Sequence, residues 1–313
     1  MSKSPDLLLH QPVLLAEALE ALNLHFEGIY VDCTFGCGGH SKAILRQLGT
    51  LGQVLAFDQD PEAVQIARKI GTIDKRFTII HSCFAHLIKH IKMRNLIGQV
   101  NGVLLDLGVS SPQLDNPTRG FSFSHDGPLD MRMNPHTGET IGKWLSEVTA
   151  KDIAKVLKTY GEERYAHRIA QAIVNAREQT ELTTTRQLAN IIATAHPAWE
   201  KSKHPATRSF QALRIFINRE LEQLHQVLPQ ILNVLAPKGR LVIISFHSLE
   251  DRIVKRFIRD CVKGDDFPAQ LPVTQNMLCP SLRSIYKPIF PTPSEIATNP
   301  RARSAIMRVA EKI

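Results

Sequence analysis

The stretch from Ile29 to Asp58 limits the fold more than any other part of the chain. An apolar run, Ile29 to Cys33, enters the glycine-rich turn Thr34-Phe35-Gly36-Cys37-Gly38-Gly39-His40, and a helical pattern from Ser41 to Leu48 follows and is stopped by Gly49. A second apolar run, Gln53 to Asp58, comes next. Strand, tight turn, helix and strand in so short a span make a βαβ unit, whose two strands must lie parallel. The alternation continues. Asp60-Pro61-Glu62 supplies an N-cap, a proline at the first helical position and an acid in the first turn, opening a helix through Ile70. Phe77 to His81 and Val103 to Asp106 read as a third and a fourth strand. Both are short apolar runs without polar alternation, as strands covered on both faces require.

After Ser111-Pro112 the pattern changes. Asp115 to Asn134 is rich in Gly, Pro, Asn and Asp and reads as a long irregular loop. Helical stretches follow at Ile141 to Leu145, Ala150 to Tyr160, Glu163 to Arg177 and Thr185 to Ala195, with no strand between them. One long helix is then expected from the stripe Phe210, Leu213, Ile217, Leu221, Leu224 and Leu228, before Ala236-Pro237-Lys238-Gly239 turns into a strand from Arg240 to Phe246. Ile306 to Val309 is expected to add an edge strand. The reading is an α/β core in two pieces, residues 1–113 and 207–313, carrying an inserted all-helical domain over 114–206.

Hydrophobic residues make up 43% of the 313 positions and charged ones 22%, enough apolar material for a large core and too much for a disordered chain. No uncharged apolar stretch approaches the ~18 to 20 residues that span a bilayer. Met1 to Leu15 has no secretory pattern, so a cytoplasmic protein is expected. The five cysteines form no C-x-x-C pair, which speaks against a disulfide framework or a zinc knuckle. His86, His90, His196 and His204 show no ligand cluster with carboxylates, and no catalytic metal is expected. The formal net charge is +8, and most of the excess lies late in the chain: from Pro237 onward 13 Lys and Arg face 7 Asp and Glu, whereas Leu114 to Ala206 carries 12 against 11. Such a surplus favours a polyanionic partner.

Glycines in the first turn let a backbone approach a ligand closely, and the helix after it offers free N–H groups. A dinucleotide fingerprint would need a third glycine at position 41, where this chain has Ser41, which counts against a nicotinamide oxidoreductase. Asp58 ends the second strand 19 residues after Gly39, where an acid can accept both ribose hydroxyl protons of an adenosine cofactor. Phe84 and Asp106 complete a ring of positions at the carboxyl ends of adjacent strands, the place where open α/β sheets bind ligands. Phe84 can equally fill core, and Asp106 can equally form a turn. An adenosine-bearing cofactor that is not a dinucleotide points to S-adenosylmethionine.

Nine segments then carry a specific resemblance: His10 to Leu15, Asp32 to Ser41, Leu104 to Asp115, Arg119 to Phe123, Asp126 to Met133, Tyr160 to Glu163, His204 to Arg208, Ser245 to Arg252 and Asn299 to Ser304. The chain resembles the RsmH (MraW) family, ribosomal RNA small subunit methyltransferase H, over nearly its whole length. The resemblance implies a Rossmann-like class I methyltransferase core, mainly parallel, with an inserted helical substrate-recognition domain. It implies S-adenosylmethionine-dependent methylation of the exocyclic N4 of a cytidine in the decoding region of 16S rRNA within the small ribosomal subunit. The family's cofactor contacts fall on Gly38, Gly39, His40, Asp58, Phe84, Asp106 and Gln113, the last by resemblance alone. Cys37 departs from the family's Arg or Ala and reads as an idle thiol. A homodimer is left open.

Methyl transfer to an amine is an in-line displacement, so most of the help comes from positioning. The cytosine N4 lone pair is delocalised into the ring, so the site should also offer an acceptor for an N–H as the nitrogen pyramidalises. Asp106 and the hydroxyl of Ser110 or Ser111 stand at the expected strand end, although Asp106 can instead serve only the cofactor. The target base must be splayed out. Phe121 and Phe123, with Arg119 and Arg132, either form a platform for it or anchor their loop to the core. Ser248 with Asp251 reads as a helix cap, and Arg252, Arg256 and Arg259 as a basic stripe facing away from Ile253 and Phe257. With Arg301 and Arg303, that stripe is a candidate phosphate contact.

Overall fold

A computed structural model describes residues 12–198, 204–264 and 278–313, so His10 and Gln11 of the first motif lie outside it. The chain divides into two compact units, one made of Met1–Gly108 with Leu221–Ile313 and the other of Val109–Glu220.

Among the described residues, the first unit holds seven strands: β1 (Ile29–Asp32), β2 (Gln53–Asp58), β3 (Phe77–His81), β4 (Val100–Asp106), β5 (Leu235–Ser245), β6 (Leu282–Ser284) and β7 (Ile306–Lys312). They lie in the order β3-β2-β1-β4-β5-β7-β6. β3, β2, β1, β4 and β5 are parallel to their neighbours, while β7 is antiparallel to both β5 and β6. β7 therefore does not close the sheet, as the sequence suggested; β6 does. Three residues with only Leu282 buried give no periodicity to read.

Alternate residues of each strand feed opposite layers. Val31, Leu55, Phe57, Leu241 and Ile243 point into one apolar layer, and Tyr30, Val54, Ala56, Val242 and Ile244 into the other. The first layer is covered by α4 (Leu87–Lys92), α11 (Glu220–Val234) and α12 (Ser248–Lys263). The second is covered by α1 (Leu15–Leu22), α2 (Gly39–Gln47) and α3 (Pro61–Ile73). Asp60 caps α3 as its sequence predicts, its side chain accepting the Glu62 N–H at 2.9 Å. α13 (Pro293–Thr298) precedes β7.

Among the described residues, the second unit has one isolated bridge, between Pro128 and Thr184, and is otherwise built on helices: α5 (Ser111–Asp115), α6 (Ile141–Glu147), α7 (Ala150–Gly161), α8 (Ala166–Gln179), α9 (Thr185–Ala195) and α10 (Ala206–Asn218). Their inward faces, with Phe121, Leu129, Met131 and Met133 of the long loop, make a third apolar cluster. The unit is wider than the 114–206 expected, because Val109 packs on that cluster and Phe210, Ala212 and Leu213 are buried in it. The single long helix is also corrected. It breaks between α10 and α11 at Arg219, a left-handed residue with φ 54°. The long loop is pinned from within: Asn218 donates to the Met131 carbonyl at 2.8 Å and accepts the Met133 N–H at 2.7 Å, and the buried Arg119 donates to the carbonyls of Arg132 and Met133.

Two loop glycines share one backbone conformation in different surroundings. Gly120 (φ +71°) would place a Cβ 2.1 Å from the Pro128 carbonyl oxygen, whereas Gly138 (φ +72°) meets nothing within 4 Å. Gly138→Ala therefore carries only the left-handed penalty of about 1 kcal/mol, and Gly120→Ala adds an overlap with backbone that raises its cost to roughly 3 kcal/mol or more. Parallel thermal unfolding of both variants checks this: the Gly120 variant should melt several degrees below the Gly138 variant.

Candidate active site

The sheet reverses its direction of growth at β1. β2 and β3 lie on one side of it, β4 and β5 on the other, so the open crevice sits above the carboxyl ends of β1 and β4. The last paired register is Asp32 with Leu104, after which the two strands part. Thr34 holds the fork: its Oγ1 accepts the Asp106 backbone N–H at 2.7 Å. Beneath it, the buried Asp32 accepts the Thr34 N–H through Oδ1 at 3.1 Å and the Ser41 hydroxyl through Oδ2 at 2.6 Å. Ser41, which occupies the position of the missing third glycine, thus ties α2 to the tip of β1. Burial pushes the Asp32 carboxyl above its usual range, offset by those two bonds.

The turn between β1 and α2 carries two left-handed glycines, Gly36 (φ 54°) and Gly38 (φ 77°). Gly38 is the N-cap of α2 and offers no side chain of its own, and a Cβ there would overlap the Phe35 ring at 2.5 Å. Gly39 is needed for another reason. A Cβ on it would stand 2.1 Å from Cγ of Pro12, so the N-terminal segment occupies the space a side chain would need.

Asp58 is half-buried at the tip of β2. Its Oδ2 accepts the Gly36 N–H at 2.8 Å and its Oδ1 the Asp60 N–H at 2.9 Å. Each oxygen keeps a further lone pair for a ligand. Desolvation first of all, with Asp60 and Asp32 adding like charge, pushes its pKa up to about 6 against the pull of the two N–H donors. Phe84 opens a short 3-10 turn after β3, capped by the Cys83 sulfur, with its ring half-buried against the first apolar layer.

Asp106, at the tip of β4, has one oxygen, Oδ1, that is buried and without a hydrogen-bond partner among the described residues. Its Oδ2 lies 3.7 Å from Nδ1 of His40. Desolvation, then the charges of Asp32 and Glu250, hold its carboxyl well above the usual range. Among the described residues, no Lys or Arg pairs with Asp32, Asp58 or Asp106, and the crevice is accordingly an acidic one.

The other predicted residues fall as follows. Ser110 and Gln113 belong to the helical unit and cap α5 reciprocally, the Gln113 Oε1 accepting the Ser110 N–H at 2.9 Å. Phe121 is buried, and Phe123 stacks on His204 and packs edge-on against Phe210, with centroids 4.7 and 4.9 Å away. Both anchor their loop to the core. Arg119 is buried and Arg132 is paired with Asp130, so neither cation stands ready for a ligand. Cys37 is a half-buried free thiol whose pKa burial raises, the opposite of an activated nucleophile. α12 is capped by His247 with Glu250 rather than by Ser248 with Asp251, and Asp251 instead holds Arg308 at 2.6 Å. Finally, Arg252 and Arg256 line the same groove as Ile253 and Phe257, a cavity of about 480 Å³ facing His225 of α11. Asp32, Thr34 and Ser41 are the site residues that sequence reasoning did not assign. No local signal marks them, because their roles show only in the partners they reach, Asp106 for Thr34 and Asp32 for Ser41.

The model of the MraW methylase family matches residues 7–313. The ribosomal RNA small subunit methyltransferase H of Nitrosococcus oceani is 55% identical over 304 residues, 97% of this chain and 96% of its own. Among solved structures, an rRNA methylase from Streptococcus thermophilus covers 97% of this chain and 99% of its own at 11% identity, with a TM-score of 0.43. A match running from the N-terminal segment through the helical unit to the last strand, with a relative of this identity across nearly the same span, makes the chain a member of the MraW methylase family.

Proposed function

We propose that this chain transfers the methyl group of S-adenosylmethionine to the exocyclic N4 of one cytidine in the decoding region of 16S rRNA, presented within the small ribosomal subunit in the cytoplasm. The observation that carries the reading is the set of carboxylates, Asp32, Asp58 and Asp106, at the tips of three neighbouring strands with no basic partner among the described residues other than His40. Such a crevice favours a cationic sulfonium and disfavours the pyrophosphate of a dinucleotide. When bound, the donor supplies an electrophilic methyl on a cationic sulfur.

The chain's own residues fit that group. Asp58 accepts from the ribose hydroxyls with its remaining lone pairs, and the exposed side of the Phe84 ring takes the flat adenine. The start of α2 offers backbone N–H groups to the donor's amino-acid end, and His40 and Gln113 complete the contacts that the family resemblance implies. Asp106 Oδ1, buried and without a partner among the described residues, is the acceptor for the N–H of the incoming amine. Ser110 is committed to capping α5, which leaves Asp106 as the catalytic residue we assign.

For the RNA, we assign the groove of Arg252, Arg256 and His225 over Ile253 and Phe257: cations at its rim meet phosphate, and its apolar floor accepts an unstacked base. Arg259 is less suited, since it is already paired with Asp260 at 2.7 Å. Among the described residues no helix is long and apolar enough to cross a membrane.

The direct test is incubation of the protein with labelled donor and small subunits that lack the modification, followed by mapping of the labelled nucleoside. N4-methylcytidine at a single decoding-region position is expected, and label on another base or on protein would contradict the reading.

Asp58 gives a pH test. Its folded pKa of about 6 lies above the ordinary 3.8, so free protein takes up a proton there below pH 6. Ribose hydroxyls bind the ionised form, so affinity for S-adenosylhomocysteine is full above pH 6 and falls about tenfold per pH unit below it. Calorimetry from pH 5 to 8 checks this. Asp58→Asn should weaken binding roughly 10- to 100-fold and remove the acid limb. For the groove, the double change Arg252→Ala and Arg256→Ala should reduce the slope of log affinity against log salt for rRNA by about 1.5 to 2, measured by filter binding.

A further inference from the structure

His40 joins the N-terminal segment to the fork of the sheet. The ring is buried, with Nε2 3.2 Å from the Val13 carbonyl oxygen and Nδ1 3.7 Å from Asp106 Oδ2. A carbonyl oxygen only accepts, so Nε2 carries the hydrogen of that bond and Nδ1 is the nitrogen left to exchange a proton with the carboxyl. The segment that supplies the carbonyl is itself pinned. Pro12 stands against Gly39, and the Leu14 N–H donates to Glu295 Oε1 at 2.7 Å from a left-handed backbone with φ 52°. The tautomer of His40 is thus set by a fixed backbone atom.

Among the described residues, the charged groups around Asp106 other than His40 are acids. Asp32 faces it from β1 and Glu250 from α12, and Glu250 is engaged by the Phe246 N–H at 2.8 Å and by His247 Nε2 at 3.2 Å. Among the described residues, His40 is the one side chain within ion-pair distance of Asp106 that can take a positive charge. Burial and like charge favour the protonated form of such an acid, and a protonated carboxyl cannot accept another proton from an amine.

We propose that His40 is a positioning residue that governs the protonation of Asp106, drawing its proton onto Nδ1 so that Asp106 meets the amine as a carboxylate. The inference rests on the methyl-transfer reading above. In the step it serves, the N4–C bond forms, the C–S bond breaks with its electron pair passing to sulfur, and the N4 proton passes to Asp106 Oδ1 while its electron pair stays on nitrogen. Charge balances: the sulfonium becomes neutral as the carboxylate is neutralised. The proton held on His40 then leaves to solvent, and the Asp106 proton takes its place on Nδ1.

The test has one arm without any donor present. In ¹⁵N spectra of histidine-labelled free protein at pH 7, His40 should show both Nε2 and Nδ1 protonated, and in Asp106→Asn, which has no carboxyl proton to give up, Nδ1 should be bare. In the second arm, single-turnover methyl transfer is followed at saturating donor and subunit. His40→Gln, whose amide can still donate to Val13, should lower the rate about 100-fold and alter its pH profile. A bare Nδ1 in the wild-type chain at pH 7, an Nδ1 still protonated in Asp106→Asn, or a loss confined to KM for the donor with kcat and pH profile unchanged would each overturn the proposal. Failure of the wild-type chain to methylate any subunit would instead remove the functional reading, while the spectra would still judge the His40–Asp106 pair.

Discussion

The structure of the site depends on one hydrogen bond at a fork. β1 and β4 separate beyond Asp32 and Leu104, and the Thr34 hydroxyl accepts the Asp106 N–H across the opening. Parted strands leave backbone groups unsatisfied, and a buried orphan of that kind costs about 1 to 3 kcal/mol. Here the side chain satisfies the donor without closing the gap. The fork stays open, its rim is fixed, and the tip of β4 points into the crevice. Asp32 continues the same logic one layer down, where its two oxygens hold the Thr34 backbone and the Ser41 hydroxyl and so lock turn and helix to the strand below.

That scaffold keeps acids in a place where each would be more stable exposed to water. Asp32, Asp58 and Asp106 all have carboxyl groups raised by desolvation. Raised acid pKa values mean that the ionised site works against the stability of the fold at neutral pH, and a cationic ligand reverses the sign. Strain stored in this way is characteristic of binding sites rather than of cores. It also explains why the basic surplus of the chain does not enter the crevice. Arg76 is spent on Asp74 and the Leu48 carbonyl, Arg308 on Asp251, and Arg240 and Arg283 on Glu311, while Arg252 and Arg256 line a groove of their own.

Much of this was legible in the sequence, and for identifiable reasons. β2 and β3 have their expected bounds because short apolar runs were bracketed by glycine, proline and aspartate, and Asp60 caps α3 because its side chain reaches the Glu62 N–H of the first turn. The break between α10 and α11 was hidden, since its left-handed residue is Arg219 and the apolar stripe continues in phase across it. The cap of α12 was misplaced by one residue because His247 accepts through a ring nitrogen, a rarer cap than the serine beside it. Phe121 and Phe123 carried two readings, and only their neighbours decide between them: a cluster that includes Met131 and Phe210 holds both in place. The roles of Thr34 and Ser41 were invisible for a different reason. A hydroxyl among glycines signals nothing until the strand it reaches is known, and that strand lies 72 residues away in the chain for Thr34.

The central claim is that the tips of β1, β2 and β4 together receive the methyl donor. A crystal structure of the protein grown with S-adenosylhomocysteine tests it most directly. The account predicts ribose hydroxyls on Asp58, adenine along Phe84 and the thioether sulfur beside Asp106, with the Thr34 to Asp106 bond unchanged. Product bound elsewhere on the sheet, or a fork closed by direct pairing of β1 and β4 beyond Asp32, would contradict it.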